Sequence, residues 1–259
     1  MITFVLVTRN DGHEGNSTER LARSIWTNYQ RIKKAFPNSY KTFEILVGDW
    51  GSDVPLSFEV MGFGLEEIPI VKFVHFPKEV TSLFDSEFNE VHPLNYLIRN
   101  AVNGVVARLD QDIILGNVFV NYLRRQSWEY LSNSILWSAR TDMQMSGNEV
   151  YSLPQYSPTF YMDAIGIIMA PWQVWASVKG YNEAMIYRNH MEHDLYKRFV
   201  ELVGINRIIN IGDELCNAFF HIWHPKTATE ERRNNDPNTP FANTDDWGLE
   251  QYKHLITIK

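Results

Sequence analysis

The chain has 259 residues, 44% of them hydrophobic and 21% charged, with a formal net charge of −7. That length suits one large α/β domain with an ample core, and the acidic balance argues against a nucleic-acid partner held on a basic surface. The single cysteine, Cys216, cannot form an internal disulfide and points to a reducing compartment. No basic leader follows Met1 and no apolar run is long enough to span a bilayer. The expectation is a cytoplasmic protein without an integral membrane segment, compatible with attachment at a membrane surface.

Residues 2–8 (I-T-F-V-L-V-T) form an apolar, β-branched run that reads as a central strand of a parallel sheet. A polar loop, Arg9 to Gly12, follows, and Ser17 or Thr18 caps a helix to about Phe36 with Leu21, Ile25, Tyr29 and Ile32 on one face. Residues 43–47 are a second strand, ending in G-D-W-G-S-D from Gly48 to Asp53. Ligands in such sheets bind at strand carboxyl ends, so residues 8–11 and 49–53 are expected to line one crevice.

A third strand spans residues 70–76 and ends at Pro77. Pro93 suits a first helical turn, and Leu94, Leu97, Ile98 and Ala101 carry the helical spacing. Then comes V-V-A-R-L-D-Q-D-I-I-L, residues 105–115, read as a buried strand whose end delivers Asp110 and Asp112 into a cleft. Two acids cannot stay buried in an apolar run unless something pairs with them, and a divalent cation, Mn²⁺ or Mg²⁺, is the economical partner. D-x-D alone is common, and a surface turn holding two acids is the better account of the motif taken by itself.

Asn117 is expected to cap a helix reaching Leu131, and residues 135–139 to form another strand. Residues 141–159 read as a hairpin or mobile loop over the site, and residues 160–170 as a further apolar run. Pro171 opens a short helix carrying Trp172 and Trp175, the latter assigned to the core. Residues 192–203 show a helical face in Leu195, Phe199 and Leu202, stopped by Gly204. Residues 205–211 and 218–223 are late strands, the second running into His221 and His224. A spacing of three is too close for the zinc-binding pair of a metalloprotease helix, although on a strand end both rings could reach one ion. After Pro225 the charged, Asn-rich composition suggests a wrapped or partly mobile tail.

Taken in order, T-R-N, G-D-W-G-S-D, the I-R-N helix and A-R-L-D-Q-D-I-I-L resemble the GT-A fold glycosyltransferases, most closely the family 2-like ones. P-W-Q-V-W-A-S-V-K-G-Y-N-E (171–183) is similar to that family's acceptor-side segment. M-E-H-D-L-Y-K-R-F (191–199) is similar to its E-D-x-x-L-x-x-R helix, and H-I-W-H-P (221–225) to its late metal histidine. The match is co-linear over roughly residues 2–225, which is more specific than any one motif.

The resemblance implies a single α/β domain with a Rossmann-like, mixed but mostly parallel sheet flanked by helices. Residues 1–115 would bind the nucleotide sugar and 116–225 the acceptor, with 226–259 as the tail. It implies a metal-dependent, inverting sugar transfer from a UDP-type nucleotide sugar to a glycan, a lipid-linked saccharide or another hydroxyl acceptor. Asp112 would bind the metal with His221, His224 or both. Thr8, Arg9, Asn10, Asp49, Ser52, Asp53, Arg99, Asn100, Arg108 and Asp110 would contact the nucleotide sugar, although Arg99 equally suits a helix surface. Trp50 would either stack on a base or plug the core. Trp172, Tyr181 and Asn182 would face the acceptor. Glu192 stands where the family has its basic Asp, with Asp194 as the second choice. Read without the resemblance, both are simply the acidic first turn of a helix. A metal-dependent phosphoesterase and a catalytically silent carbohydrate-binding protein are the rival classes.

Overall fold

The computed structural model of the chain describes residues 2–10, 17–59, 61–86, 88–101, 104–146, 149–152, 165–187, 190–215, 217–224, 236 and 238–259. Asp11, Cys216, Pro225, residues 226–235 and the polar stretch 153–164 lie outside them. Strand β1 (Ile2–Thr8) is buried along its whole length because both of its faces are covered. Ile2, Phe4 and Leu6 face α1 (Ser17–Ala35) through Leu21, Ile25, Tyr29 and Ile32, while Val5 and Val7 face the opposite side of the sheet. Two covered faces explain why the run is continuously apolar rather than alternating.

Strand β2 (Phe43–Trp50) pairs parallel with β1, setting Thr8 opposite Asp49. One-turn helices α2 (Leu56–Glu59) and α3 (Lys78–Thr81) flank β3 (Val71–Phe76), which runs parallel to β2. Helix α4 (Val91–Asn100) buries Leu94, Leu97 and Ile98 beneath the sheet and leads into β4 (Val105–Arg108), parallel to β1. Beyond the acids come β5 (Ile113–Leu115), α5 (Asn117–Arg125), the single turn α6 (Trp128–Leu131) and β6 (Ile135–Ala139).

Residues 105–115 are therefore not one strand. β4 belongs to an eight-stranded sheet and β5 to a second, four-stranded one, so D-Q-D is the corner between them. The expected helix to Leu131 is likewise interrupted at Gln126, the C-cap of α5.

The hairpin β7 (Thr141–Ser146) and β8 (Glu149–Ser152) pairs antiparallel, as expected. β9 (Ile165–Pro171) threads antiparallel between β4 and β6, and α7 (Trp172–Ser177) and α8 (Met191–Val203) pack behind it. On α8, Leu195 and Phe199 are buried, but Leu202 is 48% exposed and belongs to no core face. Past β10 (Ile208–Asn210) and α9 (Ile211–Glu214), β11 (Phe219–Ile222) lies antiparallel to β5 with His221 opposite Ile113. A Cβ on Gly116 would sit 2.2 Å from the Asn217 carbonyl oxygen, so glycine is what lets β11 come this close.

With β12 formed by Thr257–Ile258, the large sheet has the order β10-β6-β9-β4-β1-β2-β3-β12, and among these described strands β9 and β12 run against the rest. β12 is the last piece of a tail that packs firmly over its described part: it pairs with β3, and Trp247, Leu249 and Ile256 are buried against α4 and α7. No helix among the described residues is long and apolar enough to cross a membrane.

The tail acts as a strap because its buried groups meet those of α4. Trp247→Ala should destabilise the protein by about 3 kcal/mol, the scale of an emptied aromatic site, measured as a fall in the urea midpoint.

Candidate metal and transfer site

Helix α1 presents a second row beside its apolar face. Arg20, Ser24 and Asn28, spaced by four, are all buried and all turned toward the D-Q-D corner. Ser24 Oγ donates to the Gln111 carbonyl at 2.5 Å, Asn28 Nδ2 donates to the Ile113 carbonyl at 2.9 Å, and the Leu115 amide donates to Asn28 Oδ1 at 2.7 Å. Arg31, one turn on, donates to the Leu115 carbonyl at 2.5 Å. The row satisfies backbone groups that leave one sheet before joining the next.

Asp112 comes out of this corner only 3% exposed. Its Oδ1 lies 3.5 Å from His221 Nε2, its Oδ2 3.3 Å from His224 Nε2, and Arg20 Nε is 3.6 Å away. Burial pushes the carboxyl up. The hydrogen bonds of His221 and His224, with the charges of His221 and Arg140, outweigh that push and hold it far below the ordinary carboxylate range. One ligand atom from each of Asp112, His221 and His224 falls within 4.8 Å of the others. A carboxylate and two imidazoles so close together make a donor set for a divalent cation. The Ile222 amide donates to the Asp112 carbonyl at 3.0 Å, which sets β11, and with it His221, against the acid.

Asp110 points elsewhere. It lies 2.6 Å from both Arg108 Nη2 and Arg140 Nη1. Arg108, 4% exposed at the end of β4, is an internal cation rather than a surface contact; it also donates to Glu90 at 2.8 Å and lies 3.7 Å from Glu192. Burial opposes its charge, but Asp110, Glu90 and Glu192 raise its pKa well above the ordinary arginine value. Glu192, at the start of α8, keeps 16% of its side chain exposed. Burial pushes its carboxyl up to about 7 against the pull of Arg108. Asp194, by contrast, accepts from Arg198 Nε at 2.9 Å and Nη2 at 2.6 Å, and is committed to that pair.

The loops after β1 and β2 meet as expected at the carboxyl edge of the sheet. The Asn10 amide donates to Ser52 Oγ at 2.8 Å, Thr18 donates to Asn10 Oδ1 at 3.2 Å, and the Thr8 hydroxyl donates to the Gln111 side chain. Arg9 is half-buried beside them. Asp49 is buried, with Oδ2 accepting from the Leu56 amide and in contact with His75 Nδ1, both at 2.9 Å, while Oδ1 has no hydrogen-bond partner among the described residues. Asp53 is 81% exposed and paired with Lys78 on the outside of the loop. Trp50 is fully buried against Phe76 and Phe84, which makes it core rather than a base platform.

Four expected contacts are not brought to this edge. Arg99 and Asn100 end α4 where the chain enters β4, so they sit at the far end of that strand. Arg99 donates to the Asp245 and Trp247 carbonyls, and Asn100 caps the Tyr96 carbonyl. Trp172 lies at the same far end, because β9 is antiparallel and pairs Pro171 with Val105; its indole donates to Ile98. Asn182 is buried, donating to the Thr239 and Pro240 carbonyls and accepting from the Ala184 and Ala242 amides, so it ties the tail down. Tyr181, unlike those four, lies within the field of Arg108 and Glu192, but it is fully buried beside Trp175, its hydroxyl has no hydrogen-bond partner among the described residues, and burial raises its pKa well above normal.

Arg20, Arg140, Glu90 and His75 belong to the site or its support and carry no motif. Only Arg20 left a trace, as the head of the polar row on α1.

The fold is a GT-A fold. Among solved structures it is similar to TarS of S. aureus, with a TM-score of 0.53 at 12% identity over 86% of this chain and 36% of that one. It is similar to TarS 1–349 in complex with UDP-GlcNAc, with a TM-score of 0.52 at 11% identity over 87% of this chain and 59% of that one. The catalytic domain of Drosophila beta1,4-galactosyltransferase 7 in complex with xylobiose gives 0.49 at 11% identity over 91% and 81%. This chain thus spans between about a third and three fifths of the TarS chains it matches. No protein-family model and no curated protein matches it by sequence.

If Asp112, His221 and His224 hold a cation together, Mn²⁺ alone should raise the melting temperature of the protein by several degrees. Asp112→Ala should abolish that rise while keeping the native circular dichroism spectrum. An undiminished rise in the variant would place the ion elsewhere.

Proposed function

We propose that this protein is a metal-dependent, inverting glycosyltransferase that moves a sugar from a UDP-type nucleotide sugar to a hydroxyl of a glycan or lipid-linked saccharide. The observation that carries the proposal is the pairing, at one edge of a GT-A sheet, of an Asp112-His221-His224 donor set with a carboxylate, Glu192, whose pKa is about 7. The solved TarS complex with UDP-GlcNAc shares the fold and supports the donor class.

Asp112, His221 and His224 would hold the ion, and the two imidazoles favour Mn²⁺ over the oxygen-seeking Mg²⁺. When bound, the ion supplies positive charge to the diphosphate leaving group. Thr8, Arg9, Asn10, Ser52 and the open Oδ1 of Asp49 are the chain's candidates for nucleoside contacts, and Asp110 for the sugar. Glu192 acts as general base: it takes the proton of the acceptor hydroxyl as that oxygen attacks C1 and the bond from C1 to the diphosphate breaks. A base with a pKa near neutrality is matched to that task.

Glu192→Gln should keep the UDP and Mn²⁺ thermal shift and lose roughly 10²- to 10⁴-fold in kcat, read as UDP release with acceptor present. Transfer at the native rate would move the base elsewhere. The same variant tests the burial of the charge. A carboxyl whose pKa rises on folding stabilises the fold below its unfolded value, near 4.5, and loses that contribution as pH climbs through about 7. The Gln protein should therefore melt higher than the native one at pH 8, with the gap closing at pH 5.

A further inference from the structure

Glu90 lies just before α4, outside every motif of the chain, yet it is the hydrogen-bond partner of the buried Arg108. One nitrogen of that guanidinium, Nη2, faces three carboxylates: Glu90 at 2.8 Å, Asp110 at 2.6 Å and Glu192 at 3.7 Å. Arg108 Nε and Nη1 have no hydrogen-bond partner among the described residues. Nη2 carries two hydrogens, and the two nearer acids crowd them. At 3.7 Å Glu192 is beyond hydrogen-bond reach and feels only the charge.

We propose that Glu90 is a positioning residue for sugar transfer, which holds the Arg108 guanidinium away from Glu192 and so keeps the Glu192 carboxylate free to take a proton. The proposal rests on the reading of Glu192 as the base. Without Glu90, Nη2 would turn to Glu192 and close a buried ion pair, and a carboxylate so paired is a poor proton acceptor. Among the described residues, the charged and titratable groups that act on Glu192 are Arg108 from β4, Glu90 from the approach to α4, Asp110 from the D-Q-D corner and Tyr181 from the turn before α8. Burial raises the Glu192 pKa, Arg108 lowers it, and Glu90 and Asp110 raise it. Removing Glu90 therefore strengthens the pull of Arg108 on Glu192, whereas removing Arg108 releases it.

The test is a carboxyl ¹³C NMR titration of glutamate-labelled full-length protein, with Glu192→Gln assigning the resonance, beside the pH profile of kcat. In Glu90→Ala the Glu192 midpoint should move to lower pH by about one unit, the effect of one nearby charge. The acid limb of kcat should follow, with kcat reduced at neutral pH and KM for the nucleotide sugar unchanged. Glu90→Asp should return both toward the native values, and Arg108→Met should move the midpoint to higher pH. A Glu192 resonance that stays in place in a folded Glu90→Ala protein overturns the proposal, as does a shift of the same sign in the Arg108→Met protein. Absence of transfer by the native protein at every pH would instead overturn the reading of the function, and the resonance would still report on Glu90.

Discussion

An ionised carboxylate does not stay buried without something of opposite charge or hydrogen-bonding capacity beside it, and Asp112 is almost completely buried. The rest of the site follows from meeting that demand. Three groups from distant parts of the chain converge on it: Arg20 from α1, and His221 and His224 from β11 and the residues just past it. For them to converge, β11 must lie against β5, Gly116 must lack a side chain, and the chain must turn from one sheet into the other at D-Q-D.

A second buried charge, Arg108, organises the neighbouring half. Its three acids come from before α4, from D-Q-D and from the first turn of α8, so the guanidinium links the corner between the sheets to the helix that carries Glu192. Truncating one member of such a group leaves the others with uncompensated charge in a poorly solvated place, so their protonation states move together. Asp110 and Asp112 stand one residue apart in the chain but belong to different networks: Asp110 is shared between two arginines, and Asp112 between two histidines and an arginine.

The opposite end of the sheet has its own logic. Asn95, Asn182, Glu183 and Asn243 spend their polar atoms on the turn at residues 179–184 and on the tail. Gly180, in the left-handed region with φ of 67°, leaves room for Asn95 Oδ1. Y-N-E is thus a clasp for the C-terminal strap. The resemblance suggested Trp172 and Asn182 for an acceptor role, and the antiparallel course of β9 carries Trp172 to the end of the sheet away from Asp112 and Glu192.

The elements around β1, β2, β3 and the helices α1, α4 and α8 were legible in the sequence, because continuous apolar runs and helical spacing are local consequences of burial on two faces or one. The D-x-D, the late histidine pair and Glu192 were legible as residue types in a recognisable order. Their distances were not. Whether Asp112 meets both imidazoles depends on an antiparallel pairing between segments about a hundred residues apart, and no local pattern encodes that register. Glu90 and Arg140 were invisible for the same reason, and Arg20 showed only as the head of a polar row: a single charged residue acquires meaning only from what the fold sets beside it. The sequence by itself determined the strands, the helices and the chemistry available. The tertiary structure alone decided which of those groups share one buried space, because desolvation and charge pairing act over a few ångströms and disregard position along the chain.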